Sequence, residues 1–172
     1  MQPTDSLQIV PAVSPEQFAH IRELFHEYMA WDKQVTESMG MDFEGIFVTF
    51  YNRGKFDFPG EYASPDGCML LALYGTQVAG CGGLRKLDVQ TCEIKRVFVR
   101  PTFRGKKVGK TLMETLLQRA RDMGYTRARL ETADFMKDAQ GLYHAVGFKD
   151  IEPYYEIADE FKPLMLFMER EL

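Results

Sequence analysis

Residues 93–113 read EIKRVFVRPTFRGKKVGKTLM, a stretch in which a strand ends, a short loop follows and an amphipathic helix begins. Glycines in the loop let the backbone approach a ligand closely, and the first N–H groups of a helix bind anions. Basic side chains lie at the same end: Arg104, Lys106, Lys107 and Lys110. The stretch therefore predicts a site for a diphosphate between a strand and a helix.

Three other interpretations of this loop are possible from the residues alone. A P-loop requires GxxxxGK[ST], and Gly109-Lys110-Thr111 supplies its ending, but Arg104 stands where the opening glycine is needed. A dinucleotide site of the Rossmann type requires a GxGxxG after a strand, and the chain has none. The third interpretation is that the basic residues form an ordinary solvated face.

Strands and helices alternate on both sides of this stretch. A helix should open at Ser14-Pro15-Glu16, the next should end at Gly124, and another should run from Asp138 to Val146. We expect a further helix and a loop between Asp32 and Pro65. The predicted strands are Leu7–Val10, Cys68–Tyr74, Gln77–Arg85, Thr91–Val99, Arg127–Thr132 and Leu164–Glu169. This order predicts an α/β fold of one sheet with helices on its faces, in a single domain over residues 1–172.

Composition excludes several classes of function. The formal charge is −4, which argues against nucleic acid as the main partner, and no apolar run is long enough to cross a membrane. The three cysteines match no zinc or CxxC spacing, and His20 and His26 lack the i, i+4 spacing of a helical metal pair. We therefore expect a reduced, cytoplasmic protein without a metal.

The run from Glu93 to Leu112 resembles the acetyl-CoA site of the GNAT superfamily of N-acetyltransferases. In the common Arg-Gly-x-Gly-Ile-Gly form of that loop, Arg104 and Gly105 match the opening, Val108 and Gly109 match the end, and Lys107 replaces the middle glycine. Residues 142–148, LYHAVGF, resemble the Leu-Tyr-x-x-x-Gly-Phe that ends a later helix of the family. The resemblance covers residues 68 to 150 specifically.

The resemblance implies a mixed, mostly antiparallel central sheet with helices on both faces. It implies acetyl-CoA as co-substrate, with the pantetheine arm along the backbone of Val97, Phe98 and Val99, like an added strand. The strand that carries them should be splayed from the strand at Arg127–Thr132. The diphosphate would lie on the loop formed by Arg104, Gly105, Lys106, Lys107, Val108, Gly109 and Lys110.

The resemblance also implies the catalytic groups. Tyr143 would protonate the departing thiolate, although a core aromatic is the alternative, and Glu93 would be the general base, although a carboxylate paired with Lys95 or Arg85 is the alternative. Weaker candidates for the base are Asp134 and Glu131. We interpret three aromatic residues as core rather than acceptor pocket, although helices of this region wall that pocket in the family: Tyr28, Trp31 and Phe50.

The predicted reaction is direct attack of a primary amine on acetyl-CoA in a ternary complex. The acceptor would be a small-molecule amine or a peptide, and a homodimer is compatible with the resemblance. The alternative function is an acyl-CoA-binding sensor or partner module without catalysis. The segment Tyr154-Tyr155-Glu156 is interpreted as a loop over the acceptor pocket, with a surface turn as the alternative.

Overall fold

One sheet of seven strands organises the part of the chain that this computed structural model describes, residues 6–51 and 57–172. The elements in chain order are β1 (Leu7–Pro11), α1 (Pro15–Ser38), α2 (Phe43–Phe50), β2 (Cys68–Tyr74), β3 (Gln77–Lys86), β4 (Thr91–Val99), α3 (Val108–Asp122), β5 (Arg127–Ala133), α4 (Lys137–Ala145), β6 (Lys149–Ile151) and β7 (Met165–Glu171). The strand order across the sheet is β1-β2-β3-β4-β5-β7-β6. Only the β4–β5 pair is parallel within the described residues, so the expected mostly antiparallel sheet is confirmed.

Helices cover both faces of the sheet because successive residues of a strand point to opposite faces. On β2, Leu70 belongs to the same buried cluster as Leu116 of α3, while Leu71 belongs to a second cluster with Leu24 of α1. The cluster around α3 also contains Tyr143 of α4. The predicted arrangement of helices on both faces is therefore present.

The start of α1 follows the predicted capping signal. The Ser14 hydroxyl accepts a hydrogen bond from the Gln17 amide at 3.2 Å, and the Gln17 side chain accepts one from the Ser14 amide at 2.9 Å. These two bonds satisfy amides that have no partner inside the helix. Gly124, which was expected to stop α3, follows that helix with a left-handed φ of 91°.

The further helix that was expected between Asp32 and Pro65 is present as α2, which Asp42 caps. It begins later than Asp32, because α1 continues to Ser38. Residues 52–56 of that region lie outside the described residues. Strand β6 was not predicted, because its three residues are too few to show an alternating pattern.

The parallel strands β4 and β5 separate after a short paired stretch. Residues 91–93 pair with residues 127–129, after which β4 continues along β3 and β5 continues along β7. A β-bulge reinforces the divergence: Gly83 lies opposite Lys95 and Cys81 lies opposite Phe98, so β4 has one extra residue there. The split between β4 and β5 is the feature that positions the candidate site.

Candidate active site

A cavity of about 970 Å³ occupies the split between β4 and β5. Its walls come from the second halves of both strands, the loop before α3, the start of α4, and residues of α1 and α2 on the opposite side. The cavity therefore connects the N-terminus of α3 to an aromatic chamber, which is lined by Tyr28 and Trp31 of α1 and Phe50 of α2.

The N-terminus of α3 forms one end of the cavity. The first α-helical hydrogen bond of α3 runs from the Thr111 amide to the Lys107 carbonyl at 3.0 Å, so the amides of residues 108–110 precede it. Such amides carry partial positive charge and bind anions. Arg104, Lys107 and Lys110 are exposed at the same end and line the cavity. This arrangement suits a diphosphate.

Lys107, which stands where the family's loop has a glycine, has a backbone conformation that glycine adopts readily. Its φ of 64° and ψ of 8° are left-handed, a conformation that costs a side-chain-bearing residue about 1–2 kcal/mol. The loop of this chain therefore accommodates a lysine at position 107, immediately before the first residues of α3.

Two other loop residues differ in what they contact. Gly109 lies so close to α4 that a Cβ on it would be 3.1 Å from Leu142 Cδ2, so its absent side chain serves packing of α3 on α4. The Lys106 ammonium lies 4.7 Å from the centre of the Tyr74 ring. Lys106 is not among the described residues that line the cavity. The other predicted residues of the loop do line the cavity: Arg104, Gly105, Lys107, Val108, Gly109 and Lys110.

The predicted strand residues Val97, Phe98 and Val99 also line the cavity. Beyond Glu93 no described strand pairs with β4 on its β5 side. The backbone groups on that side are therefore available to an extended ligand, as in the addition of a strand to a sheet edge.

Tyr143 lies in the cavity wall with 8% of its surface exposed. Burial raises the pKa of Tyr143 to about 12, so the hydroxyl stays protonated near neutral pH. The hydroxyl makes no hydrogen bond to any of the residues that the structure describes. It is a proton donor available to a ligand in the cavity.

Glu93 lies apart from Tyr143, beside a second pocket of about 410 Å³ that Tyr154 and Tyr155 also line. The carboxylate is 1% exposed, accepts a hydrogen bond from Arg85 Nε at 2.7 Å and another from the Tyr154 hydroxyl at 2.7 Å. Burial acts to raise the pKa of Glu93, but Lys95 and Arg85 outweigh it, and the pKa is lowered. The structure therefore does not bring the two predicted catalytic residues together.

The other carboxylates considered are also paired. Glu131 accepts a hydrogen bond from Lys95 Nζ at 2.9 Å and one from the Tyr155 hydroxyl, and it lines the cavity. Asp134 forms an exposed ion pair with Lys137 at 3.1 Å. Tyr154 and Tyr155 thus contact the Glu93 and Glu131 carboxylates.

Most of the aromatic chamber was not predicted from the sequence. Tyr28, Trp31 and Phe50, which were interpreted as core rather than acceptor pocket, line the cavity, and Tyr28 also packs against a buried core cluster. Asp32 and Arg96 line it too, and neither had been considered. Asp32 follows Tyr28 by four residues, which puts an acidic side chain on the inward face of α1, and that placement was a usable signal.

Among the described residues, no group of three side chains is arranged to hold a metal ion, and no helix is long and apolar enough to cross a membrane. The three cysteines are free thiols. Burial raises the pKa of the Cys81 and Cys92 thiols to about 12, which leaves them protonated and weakly nucleophilic.

Comparison with known proteins decides the family. The sequence profile of the GNAT family of acetyltransferases matches residues 21–148. The chain belongs to this family. GNAT membership confirms the predicted fold class and the predicted enzyme class, an acetyl-CoA-dependent N-acetyltransferase.

Individual GNAT relatives agree with this assignment. An uncharacterized N-acetyltransferase of Schizosaccharomyces pombe is 31% identical over 160 residues, which cover 90% of each chain. An IAA acetyltransferase of Azospirillum brasilense is 37% identical over 112 residues, covering 64% of this chain and 71% of that one. The structure of PaiA N-acetyltransferase from Thermoplasma acidophilum in complex with coenzyme A superposes with a TM-score of 0.72 at 21% identity, covering 97% and 99% of the two chains.

Proposed function

We propose that this GNAT protein binds acetyl-CoA in the split between β4 and β5 and transfers the acetyl group to a primary amine by direct attack in a ternary complex. The observation that carries the proposal is that one cavity is lined by the N-terminus of α3, by Tyr143 and by the residues of the aromatic chamber. A donor with a diphosphate at one end and an acceptor at the other therefore have adjoining sites.

The residues present suit coenzyme A. The amides of residues 108–110, with Arg104, Lys107 and Lys110 around them, suit the diphosphate, and the free side of β4 at residues 97–99 suits the amide-containing pantetheine arm. The PaiA N-acetyltransferase of similar fold was solved with coenzyme A, which supports this placement. Lys106, with its ammonium over Tyr74, would contribute charge near the diphosphate without lining the cavity.

Tyr143 supplies the proton that the leaving group needs. The neutral amine forms a C–N bond to the acetyl carbon, the C–S bond breaks, and the thiolate takes the proton of the Tyr143 hydroxyl. The amine nitrogen loses one proton to water as the amide forms, and the tyrosinate takes one proton back from water. Backbone N–H groups near Phe98 and Val99 would polarise the carbonyl during attack.

Glu93 stays a predicted base. Its contacts with Arg85 and Lys95 oppose the role, because they stabilise the charged carboxylate and make it a weaker proton acceptor. A base role requires that Glu93→Gln remove the acidic limb of the pH profile of kcat/KM. A structural role requires that the variant lose stability and keep the shape of that profile.

Direct attack is tested by incubating the enzyme with acetyl-CoA alone and measuring its intact mass. The proposal predicts no acetylated enzyme, and thiol release only when an amine is added. An acetylated protein that passes its acetyl group to an amine would contradict the ternary complex. Saturable acetyl-CoA binding without transfer to any amine in a broad panel would favour the sensor function instead.

We further expect turnover without a metal, a cytoplasmic location, and no nucleic-acid or membrane partner. A homodimer and a single domain over residues 1–172 also stay predictions. Sedimentation measurements of the purified protein test the oligomeric state.

A further inference from the structure

Arg96 is a cation in the cavity wall that has no carboxylate partner in the described parts of the chain. It occupies the β-bulge of β4 with a left-handed φ of 62°, and its guanidinium carbon lies 4.5 Å from the centre of the Phe25 ring and 5.8 Å from that of Tyr51. Neighbouring arginines of the sheet are paired, since Arg85 contacts Glu93 and Arg100 contacts Glu27. Arg96 therefore has an uncommon backbone conformation, and its guanidinium lines a cavity and has no counter-ion among the described residues. Such a guanidinium is suited to bind an anion.

Asp32 is the complementary charge in the same cavity. Its side chain lies on the inner side of α1, the residue is 3% exposed, and one oxygen, Oδ2, accepts a hydrogen bond from the Tyr51 hydroxyl at 2.6 Å. The other oxygen, Oδ1, has no hydrogen-bond partner within residues 6–51 and 57–172, and no cation there lies within ion-pair distance. Burying a carboxylate without a cation is costly, so this arrangement suits a ligand that brings the positive charge.

Tyr51 and Tyr28 connect these two charges to the place of acyl transfer. Tyr51 donates to Asp32 and also has the Arg96 guanidinium near its ring. The Tyr28 ring lies 6.0 Å from the Tyr51 ring and 5.6 Å from the ring of Phe98, which belongs to the strand assigned to the pantetheine arm. A small ligand between the two charges therefore lies beside the cofactor strand.

The remaining wall of this chamber is apolar. Side chains from α1, α2 and the segment before β7 line it: Trp31, Val35, Met39, Phe50 and Phe161. Such a wall is suited to an aliphatic or aromatic side chain and gives no partner to a second charged group.

We infer that the acceptor is a free amino acid with an apolar side chain, whose ammonium group is bound by Asp32 and whose carboxylate is bound by Arg96. This inference rests on the proposed function, because the acetyl donor must occupy the other end of the cavity. It specifies the acceptor and excludes a peptide N-terminus, which has an amide in place of the carboxylate.

Asp32 can also serve the chemistry of such an acceptor. The bound ammonium must lose a proton before its nitrogen attacks, and Asp32 is the carboxylate placed to receive it. Burial raises the pKa of Asp32, and the Tyr51 hydrogen bond offsets part of that change. That proton then passes to water, and Tyr143 gives its own proton to the thiolate. After the attack the nitrogen loses a second proton, which returns through water to Tyr143, so the transfer balances.

The test compares amino acids with the amines that lack their carboxylate. Phenylalanine, leucine and methionine are assayed beside phenethylamine, 3-methylbutylamine and 3-(methylthio)propylamine, with thiol release and product mass as readouts. Because the paired amines differ in basicity, the informative quantity is the ratio of their kcat/KM values and its change on mutation. The wild type should prefer the amino acid by a hundredfold or more, and phenylalaninamide should behave as phenethylamine does.

Arg96→Gln should reduce that ratio at least tenfold by raising the KM for the amino acid, and Arg96→Lys should restore part of it. Arg104→Gln is the matched control, because it removes a guanidinium at the donor end and should change the KM for acetyl-CoA while leaving the ratio intact. Asp32→Asn should lower kcat/KM for the amino acid and the amine alike. Unchanged acetyl-CoA binding by calorimetry confirms that the Arg96 and Asp32 variants are folded.

The outcomes separate this inference from the proposed function. Equal use of amino acids and simple amines, or an unchanged ratio in Arg96→Gln, would overturn the acceptor assignment and leave the acetyltransferase intact. The acceptor assignment would also be overturned if acetyl-CoA binds but the three amino acids are neither acetylated nor bound in calorimetry. Failure of acetyl-CoA itself to bind would overturn the proposed function, and amino-acid binding measured alone would then decide the chamber's ligand.

Discussion

Tyr143 is the residue on which the proposed chemistry depends most directly, since burial keeps its hydroxyl protonated in the cavity wall. Tyr143→Phe should lower kcat by about a hundredfold, the usual contribution of a positioned acid, and leave the affinity for acetyl-CoA unchanged. Single-turnover kinetics and calorimetry measure the two quantities.

Tyr125→Phe is the matched control for that change. The Tyr125 hydroxyl donates to the Asp66 carbonyl at 2.7 Å, outside the cavity, so its loss should cost stability and not turnover. An unchanged kcat in Tyr143→Phe would contradict the assignment of the acid.

Lys107 offers a residue-scale test of backbone strain. Lys107→Gly should raise the free energy of unfolding relative to Lys107→Ala by about 1 kcal/mol, because glycine adopts the left-handed φ of 64° without the clash of a Cβ. The two variants lose the same charge, so the comparison isolates conformation. Urea unfolding measures it, and equal stabilities would show that residue 107 is not held left-handed.

The helix α3 is the element that should bind the diphosphate. Arg104→Glu places a negative charge at its N-terminal end and should raise the Kd for acetyl-CoA tenfold or more, with a weaker dependence of binding on salt. Arg121→Glu makes the same change of charge in the last turn of α3, where the residue is exposed, and should leave the Kd unaltered. A similar effect of both variants would mean that the diphosphate lies elsewhere.

Elements with strong local signals could be predicted from the sequence. The start of α1 is encoded by Ser14 and Gln17, and the stop of α3 by Gly124, because caps and glycine stops involve residues near in sequence. The bulge at Arg96 could not be predicted from the alternation of β4. It depends on how β3 and β4 pair, which is a contact between strands.

The aromatic chamber is formed only when distant parts of the chain fold together. Asp32 on α1, Tyr51 after α2 and Arg96 on β4 are brought together only by the packing of α1 and α2 over the sheet. The predicted diphosphate loop, residues 104–110, lies in one continuous segment, so its residues could be recognised in the sequence. Those of the chamber are far apart in the chain and could not.

Stability at low pH tests the ion pairs that join distant segments. Arg85 links Glu61 to the buried Glu93, whose folded pKa is lowered below its ordinary value of 4.5. A lowered carboxylate pKa stabilises the fold above the unfolded pKa, and this contribution is lost as pH falls through the folded pKa. The melting temperature should therefore fall below about pH 4.5, and less steeply in Glu93→Gln.

Glu93→Gln should also be less stable than the wild type at pH 7, because Arg85 and Lys95 lose their buried partner. Asp159→Asn is the control, since Asp159 is an exposed carboxylate whose ion-pair partner among the described residues is Lys162. An unchanged melting temperature of Glu93→Gln at pH 7 would show that these ion pairs do not stabilise the fold.

Acetyl-CoA binding in the split between β4 and β5 is tested by a calorimetric titration of the purified protein, with ATP and magnesium as the comparison. We expect saturable binding of one acetyl-CoA per chain and no binding of ATP, because the split offers an edge for pantetheine beside the diphosphate site. No saturable binding of acetyl-CoA, or equally tight binding of ATP with magnesium, would contradict the proposed cofactor site.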